Sequence, residues 1–229
     1  MSWTLKTAAN ALRNGDPKSA YDICTWGLRE RYYEWAYGIE SSHVIGPADL
    51  GVERRDGHHY EPTSYLILNT VFGRIKPRNR SSNEVFLDVG CGMGRTVLAA
   101  ATYPYAAVIG IEISEQLLAV ARRNVARSRK HRKCGELRLE HADASAYRVP
   151  DEVTTIFFYN PFHGEPMQRF MESTRQSLLR KNRRLGVTFV EPAHFNPADY
   201  PWITVEDEIE RPYPGRENGL KVLFCQTRV

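Results

Sequence analysis

A short apolar run that ends in three alternating glycines constrains this chain more than any other stretch. Residues Val85–Val89 are rich in β-formers and predict a strand that is buried on both faces. Gly90, Gly92 and Gly94 then interrupt the run, and residues 95–101 have a helix-forming composition. A strand, a glycine turn and a helix in this order predict a nucleotide-binding crevice, because backbone without side chains lets a ligand approach the strand end.

The charge beside the glycine loop narrows the choice of ligand. A dinucleotide places its pyrophosphate on the helix N-terminus, over glycines spaced G-x-G-x-x-G. Here the spacing is G-x-G-x-G, and Asp88 stands just before the loop, where a carboxylate would repel a pyrophosphate. This arrangement suits S-adenosylmethionine, which carries an ammonium and a sulfonium and has no phosphate.

A second strand that ends in an acid favours the same ligand. The apolar run Val108–Glu112 follows the glycine loop by about 20 residues, and an acid at that distance is placed to accept the ribose hydroxyls of an adenosine. Ser114 is predicted to cap the next helix. Asp88 and Glu112 could instead be a turn carboxylate and a capping carboxylate. Their separation favours the ligand.

These residues carry a resemblance to a known family. Residues 86–94, Phe-Leu-Asp-Val-Gly-Cys-Gly-Met-Gly, followed by Gly110-Ile111-Glu112, resemble the first two motifs of the class I S-adenosylmethionine-dependent methyltransferases. The resemblance extends over roughly residues 60–190. It implies a Rossmann-like α/β sandwich whose seven-stranded, mostly parallel sheet ends in a C-terminal antiparallel hairpin. Because such families methylate metabolites, proteins and nucleic acids, the acceptor stays open.

The resemblance also implies which residues hold the cofactor. Asp143, at the end of the predicted strand Glu136–His141, matches an acid that receives the adenine amino group. The segment Tyr60-Glu61-Pro62-Thr63 resembles one that closes over the methionine end of the cofactor, although a plain helix start explains it equally well. The predicted cofactor-binding residues are Tyr60, Thr63, Asp88, Gly90, Cys91, Gly92, Gly94, Glu112, Ile113, Asp143, Ala144 and Asn160.

The predicted fourth strand, Val153–Tyr159, delivers Asn160-Pro161-Phe162 to the carboxyl edge of the sheet. This segment resembles, with one proline missing, the Asn/Asp-Pro-Pro-Tyr/Phe motif of methyltransferases that act on amino nitrogens. A side-chain carbonyl and a backbone carbonyl there can orient a substrate NH₂, whereas the alternative is a simple Asn-Pro turn. We predict Asn160 and His163 as catalytic residues, Pro161, Phe162, Glu191 and His194 as substrate-binding residues, and Glu165 as a further candidate base.

The N-terminal part predicts two helices and a loop. Residues 3–13 form the first helix, and the second begins at Pro17 after an Asp16 cap and runs to about Gly38. Its residues Tyr21, Cys24, Leu28, Tyr32 and Trp35 recur at three- and four-residue steps as one apolar stripe, and Trp26, Tyr33 and Tyr37 lie off it. We expect such aromatics to be packing residues; the alternative is a substrate-binding wall. We divide the chain into an N-terminal helical extension with a lid loop (residues 1–59) and a methyltransferase domain (residues 60–229).

Composition limits the remaining possibilities. No run of about eighteen apolar residues is present, and the N-terminus lacks a signal-peptide core. The scattered cysteines Cys24, Cys91, Cys134 and Cys225 predict a reducing cytoplasm and no zinc site. No metal is predicted, and the histidines His43, His58 and His59 are expected in a surface loop.

The charge of the chain limits the choice of binding partner. The net charge is +4, and much of the excess falls within residues 122–133. This segment is either a phosphate-contacting patch or a solvated helix face, and the lack of interleaved aromatic residues favours the second. The sequence therefore predicts methyl transfer to an amino nitrogen or hydroxyl of a small molecule or a protein side chain. The alternatives are a catalytically silent cofactor-binding scaffold that docks through its aromatic N-terminal helices, and an RNA or DNA methyltransferase.

Overall fold

The computed structural model describes residues 3–42, 60–77, 83–160, 162–213 and 216–228. His43, His58, His59, Pro161 and most of the predicted lid loop lie outside these residues.

Within the described residues, seven strands form one sheet in the order β3-β2-β1-β4-β5-β7-β6. The first five strands in that order pair in parallel, and β7 is antiparallel to both β5 and β6. This confirms the predicted fold class, including the C-terminal hairpin. The strands are β1 (Val85–Val89), β2 (Ala107–Glu112), β3 (Glu136–His141), β4 (Val153–Tyr159), β5 (Gly186–Val190), β6 (Ile203–Tyr213) and β7 (Arg216–Thr227).

The described residues form six α-helices, three of which begin at a side-chain cap. Asp16, Ser64 and Ser114 each accept a backbone N–H of the first helical turn that follows them. Gly38 ends the second helix in the left-handed conformation, with φ of 71°. The helices are α1 (Trp3–Arg13), α2 (Pro17–Tyr37), α3 (Tyr65–Ile75), α4 (Arg95–Ala100), α5 (Glu115–Arg127) and α6 (Glu165–Arg180).

The strand order reverses at β1, and this reversal positions the site. The chain moves outward from β1 to β2 and β3, then returns to β4 on the other side of β1. A crevice therefore opens outside the carboxyl end of β1, between the connections that follow β1 and β4. All five residues of β1 are buried, as expected for a strand covered on both faces.

A stack of aromatic rings holds the connection between β5 and β6. The ring of Phe189 lies 4.9 Å from Phe158 and 3.8 Å from Phe195, nearly parallel to both, and Tyr200 stacks on Phe195 at 5.4 Å. The connection contains one short 3-10 turn, Pro197–Asp199. Stacking thus fixes the segment that leaves β5 against the sheet core.

Helix α2 packs through the face opposite to the one the sequence suggests. Trp26 donates its ring N–H to the Ser64 hydroxyl at 3.2 Å, and Tyr33 stacks on Tyr65 at 4.8 Å. Trp26 and Tyr33 carry polar atoms that need hydrogen-bond partners when buried, so their side of α2 faces the domain. The predicted packing stripe therefore faces outward. The expectation of packing is therefore wrong for Tyr21, Leu28, Tyr32 and Trp35, whose exposed fractions are 61–69%.

Candidate active site

The glycine loop folds tightly over the end of β2. The N–H groups of Gly90 and Cys91 both donate to the carbonyl of Ile111 at 2.9 Å, and the Gly94 N–H donates to Cys91 at 2.8 Å. The Cys91 side chain is buried against Gly110. Cys91 therefore offers a ligand its backbone, and burial raises the pKa of its thiol well above the ordinary value.

Gly92 is the point where another part of the chain meets the loop. Its φ is 52°, and a Cβ added there would lie 2.3 Å from Cε2 of Tyr60. The Tyr60 ring therefore lies directly against the loop backbone, and only glycine leaves room for it. The Tyr60 hydroxyl donates to the Ser41 carbonyl at 3.0 Å. This places Tyr60, the first residue of the segment predicted to close on the cofactor, over the glycine loop.

Asp88 and Glu112 are both buried at the carboxyl ends of their strands. Asp88 is 3% exposed, and its Oδ2 accepts no hydrogen bond from the described part of the chain. Burial, and secondly the charge of Glu112, raise the pKa of Asp88 well above its ordinary value. An unsatisfied buried carboxylate oxygen is costly by itself, and a cationic ligand would relieve that cost.

Glu112 lies across the glycine loop. Its Oε2 accepts the Gly92 N–H and its Oε1 accepts the Ser114 N–H, both at 2.9 Å. Burial raises the pKa of Glu112, and these hydrogen bonds oppose the rise. Each carboxylate oxygen keeps a further lone pair for a hydroxyl donor. The chemistry of Asp88 and Glu112 together fits an adenosine ligand that carries a positive charge.

The residues predicted around the adenine follow β2 and β3. Oδ1 of Asp143 accepts the Ser145 N–H at 2.8 Å and its hydroxyl at 2.7 Å, and so caps a short 3-10 turn at Ala144–Ala146. The carbonyl of Ile113 contacts Nε2 of His141 at 2.9 Å. Asp143 is thus a capping residue in this structure, and this role is compatible with the predicted contact to adenine.

A buried arginine that was not predicted from the sequence lies immediately after the loop. Arg95 is 3% exposed, and its guanidinium lies 2.5 Å from Glu30 and 3.5 Å from Glu34 of α2. Its carbon Cζ lies 4.5 Å from the centre of the Tyr65 ring. Burial lowers the pKa of Arg95, but Glu30 and other neighbours raise it more, so the net pKa lies above the ordinary value.

Arg95 joins the start of the predicted lid loop, and the segment that follows the loop, to the glycine loop. It donates to the hydroxyls of Ser41 and Ser42, each at 2.8 Å, and to the carbonyl of Thr63 at 3.1 Å. The sequence signal that could have identified a buried cation is the pair of acids Glu30 and Glu34 on the inner face of α2, because buried acids require a partner.

The carboxyl edge carries two strained residues side by side. Asn160 after β4 and Glu191 after β5 have φ of 42° and 54°, and they are the non-glycine residues with positive φ in the described ranges. The Asn160 N–H donates to the Val190 carbonyl at 2.8 Å, which ties the two strand ends together. Such strain persists where the surrounding structure enforces it, commonly at functional sites.

Two predicted histidines meet beside these strand ends. The imidazoles of His163 and His194 lie 4.6 Å apart between centroids, and Phe162 makes an edge contact with Phe158 at 6.2 Å. The candidate base Glu165 points instead to Arg169, at 2.5 Å on the exposed first turn of α6. The fold therefore brings Asn160, His163, Glu191 and His194 to one edge of the sheet.

Other kinds of site receive no support from the described ranges. They hold no cluster of three or more His, Cys, Asp or Glu residues that could hold a metal ion. None of their helices is long and apolar enough to cross a bilayer.

Comparison with known proteins gives one family match. Residues 86–182 match the family model for a methyltransferase domain, whereas no curated protein matches the chain.

Several solved structures are similar in fold. An RNA methyltransferase from Salinibacter ruber in complex with S-adenosyl-L-homocysteine shares 18% identity over 72% of this chain and 93% of its own, with a TM-score of 0.52. A SAM-dependent methyltransferase from Aquifex aeolicus shares 14% identity over 70% and 89%, also with a TM-score of 0.52. A magnesium protoporphyrin IX methyltransferase from Synechocystis PCC 6803 with bound SAM shares 15% identity over 71% and 79%, with a TM-score of 0.50.

At these identities the solved structures establish the fold, and the family match covers the glycine loop and the strands beside it. Two of the three structures hold the cofactor or its demethylated product, and the buried acids at β1 and β2 fit such a ligand. Residues 86–182 therefore resemble a methyltransferase domain, and the sheet around them has the fold of S-adenosylmethionine-dependent methyltransferases.

Proposed function

We propose that the enzyme methylates an amino nitrogen of a small molecule or a protein side chain, held at the ends of β4 and β5. The observation that carries this proposal is the strained pair Asn160 and Glu191 at adjacent strand ends. An asparagine held there at an energetic cost has its amide fixed at the carboxyl edge, beside the crevice.

The cofactor-binding roles follow from charge. Bound S-adenosylmethionine supplies a methyl group on a sulfonium, which is a good leaving group. Asp88 would attract the ammonium of its amino acid tail, Glu112 would accept the ribose hydroxyls, and Asp143 would accept the adenine amino group. The backbone of the glycine loop would let the cofactor approach the end of β1.

Orientation of the acceptor would account for most of the catalysis. The side-chain carbonyl of Asn160 would accept one N–H of the acceptor and aim its lone pair at the methyl carbon. Phe162 would provide an apolar wall next to it. Because the leaving group is intrinsically good, proximity and alignment supply the main rate enhancement.

The histidine pair would take up a proton. An amine that enters as an ammonium must lose a proton before it can attack, and imidazole accepts protons near neutral pH. His163 and His194 lie in contact at the same edge as Asn160, with Glu191 on the neighbouring strand end. The same pair would deprotonate a hydroxyl, which makes O-methylation the second candidate.

Transfer of a labelled methyl group to a panel of amines and alcohols tests this proposal. Asn160→Gly removes the amide and accepts the positive φ, so transfer should fall roughly 100-fold while the affinity for S-adenosylhomocysteine changes much less. Asn14→Ala, at an exposed position after α1, is the control. Cofactor binding without transfer to any acceptor would instead support a silent scaffold. An unchanged rate in Asn160→Gly would refute the orienting role. The cytoplasmic location stays a prediction.

A further inference from the structure

A surface on the N-terminal helices is left uncovered by the described part of the chain. Tyr21, Leu28, Tyr32 and Trp35 project from one side of α2 and are 61–69% exposed. The rings of Tyr32 and Trp35 lie 6.1 Å apart. Large exposed apolar patches on a folded domain commonly mark a binding surface. We call this row of four residues the aromatic stripe.

Cations flank the aromatic stripe along α2. Arg31 lies on one side of the stripe and Arg29 on the other, by their positions on the helix, and both are exposed. Lys18 adds a third exposed cation near the start of the helix. Exposed cations therefore flank the stripe on both sides, with the exposed acid Asp22 beside Arg29.

The fold also brings the basic segment 122–133 to the end of the aromatic stripe. The Arg129 N–H donates to the Tyr37 carbonyl at 2.7 Å, and its guanidinium donates to the Trp35 carbonyl at 3.4 Å across 94 residues of sequence. Lys130 lies 5.4 Å from the centre of the Tyr37 ring. The aromatic residues that the basic segment lacks in sequence are thus supplied by α2.

Much of the charge on this segment is free to act outward. Residues 122–133 contain seven Lys or Arg residues and no Asp or Glu. Arg122 and Arg127 pair with Glu115 and Glu40, whereas Arg123, Arg132 and Lys133 are exposed. The partner of this surface must therefore be strongly anionic.

We propose that the aromatic stripe and the basic segment together bind single-stranded nucleic acid, with RNA as the probe of choice. Exposed rings beside guanidinium groups stack unpaired bases, and the neighbouring Lys and Arg residues contact phosphates. A second copy of the chain fits poorly because it would bring like charges together. An anionic bilayer is the other candidate for a basic surface with exposed aromatic residues, and the vesicle measurement below distinguishes it from RNA. The surface shares no residue with the proposed acceptor site.

Binding of the full chain to a fluorescent single-stranded RNA of about 15 nucleotides tests this inference, read by anisotropy between about 50 and 200 mM salt. Tyr32→Leu and Trp35→Leu keep the surface apolar but remove stacking, so each should weaken binding about fivefold or more without changing the salt slope. Arg132→Gln with Lys133→Gln should reduce the salt slope by about 1.4, at about 0.7 per lost phosphate contact. Arg175→Gln with Lys181→Gln, an equal charge loss on the α6 side, should change neither.

Three results would overturn the inference. The first is absence of RNA binding at low salt, or binding insensitive to both sets of variants. The second is binding to vesicles of anionic lipid that is tighter than binding to RNA and persists in Trp35→Leu, which would assign the surface to a membrane. The third is a concentration-dependent dimer that Trp35→Leu dissolves in sedimentation. Because no methyl transfer is measured, failure here leaves the proposed acceptor chemistry untouched, and the converse also holds.

Discussion

Replacement of Glu30 by glutamine tests how the N-terminal helices are attached to the cofactor loop. Glu30 is a buried residue of α2 whose Oε2 pairs with Arg95 at 2.5 Å. Its Oε1 also accepts the Ser64 hydroxyl at 2.8 Å and the Tyr65 N–H at 2.9 Å, at the start of α3. A single carboxylate thus joins α2, α3 and the first residue of α4.

The expected cost follows from what Glu30→Gln leaves behind. Loss of one partner from a buried ion pair costs about 3–5 kcal/mol, because the remaining charge stays buried without compensation. Here Glu34 stays 3.5 Å from Arg95, and the glutamine carbonyl can still accept the hydrogen bonds from Ser64 and Tyr65. We therefore expect the lower end, about 3 kcal/mol. For a chain of this size that corresponds to a drop in Tm of roughly 6–12 °C.

Urea unfolding followed by circular dichroism measures this difference, and hydrogen exchange locates it. Glu208→Gln is the matched control, because Glu208 pairs with Lys221 at 2.7 Å while both side chains are almost half exposed. Exposed pairs contribute about 0–1 kcal/mol. Exchange should accelerate in α2 and in the start of α3 in Glu30→Gln.

If Glu30→Gln costs no more than Glu208→Gln, then the Arg95 ion pair does not anchor the extension. A loss of about 3 kcal/mol with unchanged hydrogen exchange in α2 would place the effect elsewhere and would also contradict this role of Glu30.

Three further predictions concern the loop and the core. Gly92→Ala should weaken S-adenosylhomocysteine binding in calorimetry and destabilise the fold by about 1–2 kcal/mol or more, because a left-handed backbone is strained and Tyr60 must move. Asp88→Asn should weaken binding of the same ligand yet stabilise the free protein at pH 8. Burial and Glu112 raise the pKa of Asp88 in the folded state, so its ionisation is costly there. That gain should shrink as pH falls below the raised pKa of the folded state and vanish below about 4, the ordinary pKa of Asp, where the carboxyl becomes protonated in both states; a constant gain in pH-dependent urea unfolding would refute it. Phe189→Ala should cost about 3–5 kcal/mol in urea unfolding, since its ring is fully buried in the aromatic stack, and a cost under about 1 kcal/mol would show that the stack can collapse around the gap.

The sequence predicts the parallel part of the fold because local signals there agree with the tertiary structure. β1 and β4 match the predicted spans residue for residue, since each is a short apolar run bounded by turn residues. The capping residues Asp16 and Ser114 mark helix starts through hydrogen bonds to their own first turns. Such features depend on neighbours within a few positions.

The orientation of α2 is not available from local pattern, because both sides of this helix carry aromatic residues. Periodicity selects the side with Tyr21, Leu28 and Trp35, while the domain binds the side with Trp26 and Tyr33. The deciding contacts are polar and distant in sequence, such as Trp26 to Ser64. A period of apolar residues does not record them.

The candidate site likewise contains residues that the local sequence pattern identifies and one that it does not. The acids Asp88 and Glu112 are identified by their distance from the glycines, whereas Arg95 has partners 32–65 positions away and no local mark of burial. The predicted division between residues 59 and 60 stays a prediction. Arg95 contacts residues on both sides of it, Ser41 and Thr63 among them.

Calorimetric titration of S-adenosylhomocysteine and of NADH into the same protein tests the central claim most directly. Two buried carboxylates, Asp88 and Glu112, line the crevice, so the phosphate-free compound should bind, NADH should not, and Asp88→Asn should weaken the former. Tighter binding of NADH, or of any ligand whose phosphates occupy the glycine loop, would contradict it.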